Sequence, residues 1–342
     1  MFELLNYTFL FLCLIALFSG LFPRKLANFL FVTIFFLLFF ISSFREIGFD
    51  QDSKMYEDMF RNDGEGTEIS FQIITYIIKN VFHSNFFYLL SFYAFISLLL
   101  KFYFIKNSTK FIFFSILLYY SYFFVLQDMT QIRVGLASGL LMVMIKFIID
   151  RKIYSAISLF ILAILFHTSS VIFFPIFFLS KNSINKKLYF GIIILSYVIY
   201  PYINNFTQLL IVYFDYDLVL RKANSYSLEN GNRLNVFNVW QLIRLFLSFI
   251  FLFYSNLLKI KNGYSIILIK LYIISTCVFV LLSDNPVFSG RISDLYAATD
   301  IILIPFLLYL IPNKYNLGIK IIIILIAFSN FYLNLYFNKI FN

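Results

Sequence analysis

The sequence predicts an all-α polytopic integral membrane protein, and three observations support this fold class. The chain of 342 residues is 61% hydrophobic, 22% aromatic and only 13% charged. Its apolar runs recur from end to end at close to the ~20 residues that an α-helix needs to cross a bilayer. These runs are continuously apolar and do not alternate, which is not typical of a transmembrane β-barrel. No soluble globular class has this composition.

Eleven apolar segments can be delimited, and basic residues in the short connections between them indicate the orientation of the chain. All basic clusters, including Lys101, Lys106 and Lys110, can face the cytoplasm only if segment 153–181 crosses twice, with a turn at His167. This gives about twelve transmembrane helices with both termini outside. The net charge of +10 then reports topology and gives no reason to expect a nucleic-acid partner. The segments are 4–20, 26–44, 85–105, 110–127, 131–149, 153–181, 187–203, 237–256, 265–283, 293–311 and 317–337.

We expect one membrane-embedded domain, 1–342, with two long connections on the external side. Residues 45–84 form the first large external loop, and its apolar part, 69–82, must begin and end outside, so we expect an interfacial or re-entrant helix. Residues 204–236 form the second large external loop. Most acidic residues also fall on this side, so the external face is where polar chemistry collects.

The stretch from Gln127 to Gly139 carries Arg133 into a long apolar segment. An arginine at the bilayer centre costs about 2.5 kcal/mol or more on insertion scales, although snorkelling towards the interface relieves part of this cost. Small residues follow the arginine at once and allow neighbouring helices to approach closely. A charge inside the membrane beside a close-packed helix face indicates a functional site, and the alternative is a structural anchor.

Several arginines are expected to converge at one membrane face, namely Arg45, Arg133, Arg244 and Arg291. Like charges repel, so such a group is a poor way to stabilise a bundle, whereas a planar guanidinium suits phosphate oxygens. A membrane-embedded diphosphate fits this arrangement. The alternatives are that Arg45 and Arg291 are helix-end anchors and that Arg244 forms an ion pair with Asp300.

His167 and Asp50 are the candidate catalytic residues. Histidine titrates near neutrality and can accept a hydroxyl proton, which suits a general base; the alternatives are a hydrogen-bonded turn histidine and a solvated loop carboxylate. The sequence has no H-E-x-x-H motif, cysteine pair, G-x-G-x-x-G motif or P-loop, so no cofactor and no metal site is expected.

Four stretches carry a resemblance to a known family: R-E-I-G-F-D at 45–50 with Tyr56 and Phe60 behind it, I-R-V-G-L-A at 132–137, L-A-I-L-F-H-T-S at 162–169, and S-G-R-I at 289–292. In this order they resemble the EpsG-like branch of the Wzy-type polysaccharide polymerases. The second stretch departs from the family pattern at Val134, where glutamine is common. Glu68 to Phe71 is also similar to the acid-and-aromatic element that closes the first loop in that family.

The resemblance implies a glycosyltransferase of the bacterial inner membrane with a GT-C-like helical architecture, its active site facing the periplasm. Its partners would be undecaprenyl-diphosphate-linked oligosaccharides as donor and acceptor, the lipid bilayer, and a chain-length regulator of the polysaccharide pathway. The reaction would pass the growing O-antigen, capsule or exopolysaccharide chain to the next lipid-linked repeat. Arg133 and Arg291, with Arg45 or Arg244 assisting, would bind the diphosphate, and His167 or Asp50 would deprotonate the acceptor.

Two alternatives remain open. An O-antigen ligase-like transferase would use a similar arginine and histidine set with a different acceptor. A flippase or transporter of lipid-linked oligosaccharides would show inverted repeats and charges near the bilayer midplane. Aromatic residues such as Tyr56 are candidates for stacking on sugars, although an interfacial aromatic belt is the simpler explanation.

Overall fold

A computed structural model describes residues 1–202, 234–337 and 340–341 of the chain. In these residues the regular structure is helical, with a single antiparallel bridge between Asp50 and Phe341 and no β-strand. The all-α prediction is therefore confirmed for the described part. Residues 204–233 of the predicted second loop lie outside it. The chain divides into two compact units, Met1–Phe174 with Ile301–Asn342, and Pro175–Asp300; the prediction of one domain stays a prediction.

The first unit is built around α7, which packs against α5 and α8, while α2 packs on α5 and α4 on α8. Its segment Tyr119–Asp128 is a π-helix that continues α6, and Ile77–Val81 is a π-helix that continues α4. The α-helices of this unit are α1 (Phe2–Phe18), α2 (Arg24–Ser43), α3 (Ser53–Arg61), α4 (Ile69–Tyr76), α5 (Phe86–Ser108), α6 (Ile112–Leu118), α7 (Ile132–Ile149) and α8 (Ile153–Phe166).

The first unit also contains a second stretch of chain, which follows α14 (Asp300–Leu303), a helix that begins at the boundary between the units. It consists of two 3-10 helices, Ile304–Tyr309 and Asn313–Tyr315, then α15 (Asn316–Tyr332) and the π-helix Leu333–Phe337. Helix α15 packs against α6 and its π-helical continuation.

The second unit is organised around its own central helix, α12, which packs against α9, α10, α11 and α13. Asparagine side chains cap several of its helices: Asn238 accepts a hydrogen bond from the amide of Gln241, at 3.0 Å, and Asn285 from that of Phe288, at 3.1 Å. Such caps satisfy amides that have no partner within the helix. The helices are α9 (Lys186–Ile199), α10 (Val239–Phe253), α11 (Ser255–Lys261), α12 (Ser265–Leu281) and α13 (Pro286–Ala297).

Five helices of the described residues are long and apolar enough to cross a membrane, or seven if each of two bent helix pairs counts as one span. A polytopic membrane protein is consistent with this finding, but the predicted count of twelve spans is not reached. Several expected spans form shorter helices, such as Ile112–Asp128 and Ser265–Leu281. The first of these stops at a polar turn before α7, which shortens it below the ~20 residues of a typical span.

The small residues at the start of α7 confirm the predicted close packing. Gly135 and Gly139 are buried, and a Cβ atom at Gly139 would lie 3.1 Å from the Cβ of Leu100 and 3.4 Å from the carbonyl oxygen of Ser97. Glycine is therefore needed for α5 and α7 to approach this closely.

The polar break predicted inside 153–181 lies where expected. Helix α8 ends at Phe166, His167 has an extended backbone (φ −155°, ψ 110°), and a 3-10 helix begins at Thr168. The apolar part of the first loop is also helical, as expected. Helix α4 buries Phe71 and Thr75, while Ile69 and Ile73 are exposed on its other face, an arrangement suited to the membrane interface.

Candidate functional site

Arg133 lies in the first turn of α7, and its guanidinium forms an ion pair with the carboxylate of Glu68. Glu68 is the N-cap residue of α4, so it comes from the first large loop. The two side chains are 17% and 11% exposed. An arginine so placed needs a counter-charge, because an unpaired charge in a poorly hydrated site is costly. The pair thus fastens the first loop to the start of α7.

Aromatic rings complete the surroundings of this guanidinium. The Arg133 Cζ atom lies 5.4 Å from the ring centroid of Tyr56 and 5.9 Å from that of Phe71, distances at which a cation is attracted to the ring face. Both rings are buried, Tyr56 at 3% exposure. Because the Tyr56 ring is buried and packs against the arginine, it is poorly placed to stack on a sugar, and that role stays a prediction.

His167 contacts the same carboxylate. Its Nδ1 atom lies 3.5 Å from Oε1 of Glu68, a distance long for a hydrogen bond, so the contact is chiefly electrostatic. The His167 amide continues α8 by donating to the carbonyl of Ala163 at 2.9 Å, which fixes the ring at the end of that helix. Glu68 therefore lies between Arg133 and His167, and these two predicted site residues do come together.

A further contact ties α4 to α8. The Ser70 hydroxyl, in the first turn of α4, donates a hydrogen bond to the carbonyl of Leu165 at 2.6 Å. The last carbonyls of a helix have no partner within it, so this bond satisfies one of them. Together with Glu68, it holds the beginning of α4 against the end of α8, where His167 lies.

The pKa values of the loop residues follow from this arrangement. Burial raises the pKa of Glu68, but the contact with His167 and the charge of Arg133 outweigh it and lower the pKa to about 2. Burial raises the pKa of the Tyr56 phenol, although the Arg133 charge opposes this. At neutral pH the site therefore contains an ionised carboxylate beside a neutral phenol.

Arg45 and Asp50 form a second buried pair, at the opening of the first loop. The Arg45 Nε lies 2.9 Å from Oδ2 of Asp50, and both side chains are completely buried. The other carboxylate oxygen accepts hydrogen bonds from the amides of Asp52 at 3.1 Å and Ser53 at 2.8 Å. Gly48 closes the turn with a φ of +89°, where a Cβ would lie 2.6 Å from Lys54 Cε. Both oxygens of Asp50 are thus committed to holding this turn.

The other two predicted arginines belong to the second unit. Arg244 lies in α10, within electrostatic range of Asp300 and of Tyr272, which fits the alternative that Arg244 balances Asp300. Arg291 lies in α13, where its side chain is exposed. Their convergence with Arg133 stays a prediction.

A buried cluster centred on Asp128 was not predicted from the sequence. Its Oδ2 accepts hydrogen bonds from Lys101 Nζ at 2.6 Å and from the Tyr119 hydroxyl at 2.5 Å. Lys101 lies within α5 and its side chain is fully buried, so it is not part of an exposed basic connection with Lys106 and Lys110. The available signal was a pair of opposite charges, one in an apolar segment and one just before the next.

Comparison with known proteins identifies the family. The EpsG family matches residues 28–342, which is most of the chain and includes all four stretches that carry the resemblance. No curated protein and no solved structure matches the chain. The chain therefore belongs to the EpsG family, the family of Wzy-type/EpsG polymerases.

Proposed function

We propose that this protein polymerises undecaprenyl-diphosphate-linked oligosaccharide repeat units at the periplasmic face of the bacterial inner membrane. It would transfer the growing chain onto the next lipid-linked repeat during O-antigen, capsule or exopolysaccharide synthesis. Membership of the EpsG family supports a polymerase that acts in polysaccharide synthesis. The observation that carries the specific proposal is the shared contact of Arg133 and His167 with Glu68.

Arg133 is the proposed anchor for the donor diphosphate. Its ion pair with Glu68 uses Nη1, and its buried Nε has no hydrogen-bond partner among the described residues. An arginine with unused N–H groups, held in place by a carboxylate and aromatic rings, is preorganised to bind phosphate oxygens. It also stabilises the negative charge that develops on the diphosphate as that group leaves.

His167 is the proposed general base. The acceptor hydroxyl oxygen forms a bond to the anomeric carbon of the donor, and its proton passes to Nε2 of His167. The bond from the anomeric carbon to the diphosphate oxygen breaks, and its electron pair leaves with undecaprenyl diphosphate. Glu68, whose Oε1 lies 3.5 Å from Nδ1, stabilises the imidazolium that forms through its negative charge. Glu68 is thus a positioning residue.

The remaining predicted site residues have supporting roles in this proposal. Asp50 becomes a positioning residue and not a base, because its oxygens are occupied by Arg45 and two backbone amides. Arg45 shapes the loop through the same pair. Arg291 and Arg244 are proposed as further diphosphate ligands. The proposal also includes a twelve-span, GT-C-like arrangement of the helices and a chain-length regulator as a partner.

The proposal is tested by surface-polysaccharide banding in a strain from which the gene is deleted, complemented with wild type or Arg133→Ala. We expect a ladder with wild type and a single-repeat band with the variant at equal membrane abundance. A normal ladder in the uncomplemented strain would refute a polymerase. Accumulation of the single repeat on the cytoplasmic leaflet of that strain would instead indicate a flippase, and unligated full-length chains would indicate a ligase-like transferase.

A further inference from the structure

A completely buried ion pair lies inside the first unit, on helices that the proposed chemistry does not use. Lys101 on α5 and Asp128 at the end of the π-helix are both fully buried at their side chains. Removing two charges from water costs several kcal/mol per ion unless good geometry and further hydrogen bonds compensate. Here they do, because the Asp128 carboxylate accepts from Lys101, from Tyr119 and from Ser97.

The helix geometry explains how one carboxylate gathers these donors. Ser97 and Lys101 are four residues apart on α5 and so lie on one face of the helix. Tyr119 and Asp128 are nine residues apart, which is about two and a half turns of an α-helix and would direct them to opposite sides. The wider turns of the π-helix Tyr119–Asp128 bring both to the same side. The π-helical geometry of this stretch therefore allows Tyr119 to reach Asp128.

The cluster also sets the position of the next helix. A Cβ atom at Gly135 would lie 2.9 Å from Oδ1 of Asp128 and 3.1 Å from the Gln127 carbonyl oxygen, so the first turns of α7 lie directly against this carboxylate. The side-chain oxygen of Gln127 accepts a hydrogen bond from Ser138 at 2.7 Å. The intervening turn is buried as well, with Thr130 at 3% exposure.

We propose that Asp128, held by Lys101, Tyr119 and Ser97, is a positioning residue that fixes the buried turn 127–131 and hence the place where Arg133 enters α7. Arg133 follows Asp128 by five residues and lies in the first turn of α7, directly after the turn 127–131. The inference that the cluster fixes the turn depends only on the geometry described above. The inference that it affects donor binding rests on the proposed function.

The first test measures the turn without any activity. Thr130→Cys is introduced into a chain with Cys13→Ser and Cys277→Ser, and its rate of reaction with a small thiol reagent is measured in nanodiscs. In this background, removing the pair with Lys101→Met and Asp128→Leu together leaves no unpaired charge to unfold the protein. We expect at least about a tenfold faster reaction, equivalent to ~1.4 kcal/mol of lost protection and of the size of one or two hydrogen bonds.

Two matched variants accompany this test. Tyr119→Phe removes one donor and keeps the ring, so we expect a smaller increase in the same direction. Lys270→Met removes a buried lysine of the second unit, whose Nζ donates to the Ser180 carbonyl, and should leave the rate unchanged. An unchanged rate in the double variant, or an equal increase with Lys270→Met, would overturn the inference.

The second measurement separates positioning from folding. In the polymerisation assay, we expect the double variant at wild-type abundance to raise the KM for the lipid-linked donor about tenfold and to lower kcat as well, because a displaced Arg133 binds the diphosphate less tightly and stabilises its developing charge less well. A wild-type KM would show that the cluster is structural only. If the wild type itself has no polymerase activity, the proposed function fails while the thiol-reaction result still decides the fixing of the turn.

Discussion

Replacing Glu68 by glutamine is the most informative single change in the site, since it preserves the size of the side chain and removes only its charge. The carboxylate forms an ion pair with Arg133 and lies 3.5 Å from Nδ1 of His167. Two opposite charges at 3.5 Å interact with about 5 kcal/mol at an effective dielectric constant of 20. The Glu68 carboxylate also interacts with Arg133, and water reaches the site. Its interaction with the His167 imidazolium is therefore only part of this energy.

We therefore expect the loss to be about 1.4 to 2.8 kcal/mol of transition-state stabilisation, a 10- to 100-fold fall in kcat. The assay is the initial rate of chain extension by purified protein in proteoliposomes, with repeat units isolated from the deletion strain. Glu57→Gln is the matched control: it lies in the same loop, and its carboxylate accepts from Arg61 at 2.7 Å in an exposed pair. A wild-type rate for Glu68→Gln, or an equal loss for Glu57→Gln, would refute the reasoning.

For the same variant, we expect the difference in stability from wild type to depend on pH. The pKa of Glu68 falls from 4.5 to about 2 on folding, so its ionised form stabilises the folded state fully above pH 4.5. This contribution is lost as the pH falls from 4.5 towards about 2, where the folded state takes up the proton. We expect the difference in melting temperature between wild type and Glu68→Gln to shrink as the pH falls from 4.5 towards about 2. A difference that stays constant through this range would contradict the assignment.

Three further predictions test the arginines and the loop. Arg133→Lys keeps the charge but loses the planar fork, so we expect about a tenfold higher KM for the donor; an unchanged KM would argue against diphosphate binding. Breaking the buried pair with Arg45→Ala or Asp50→Ala should destabilise the protein by about 3–5 kcal/mol and lower membrane abundance, and normal abundance with lost activity would restore Asp50 as a base. At Gly64, φ is +76° and an added Cβ would lie 3.1 Å from the Cα of Gln72, so we expect Gly64→Ala to speed proteolysis of the first loop severalfold. Gly20→Ala is the control, because a Cβ there has no neighbour within 4 Å. Equal proteolysis rates for the two variants would contradict this.

The fold class was predictable because it depends on bulk properties of the sequence. Continuous apolar runs, small residues after Arg133 and the polar break at His167 each impose a local structure that the described residues confirm. The number of spans was not predictable in the same way. Segment 110–127 is predominantly apolar, yet its helix ends in a π-helix at a buried polar turn. Hydropathy does not distinguish such a turn from a membrane surface.

The site was partly predictable for a similar reason. Arg133 and His167 stand out because charged and titratable groups are rare in apolar segments. Their common partner Glu68 does not stand out by its chemistry, since it is one of several acids in a polar loop. Only the family resemblance marks it in the sequence, and its contact with both residues depends on the packing of α4 on α8. Lys101 was misplaced because a lysine near a helix end is ordinarily a snorkelling residue, and only the approach of Asp128 explains its burial.

The most direct test of the central claim is chain extension by the purified protein. Wild-type protein and Arg133→Ala are reconstituted separately with undecaprenyl-diphosphate-linked repeat units, and the products are separated by size. The account predicts a ladder of lengthened chains and release of undecaprenyl diphosphate with wild type, and neither with the variant. A wild-type protein that leaves the repeat units at their original length, or moves them across the bilayer without joining them, would contradict it.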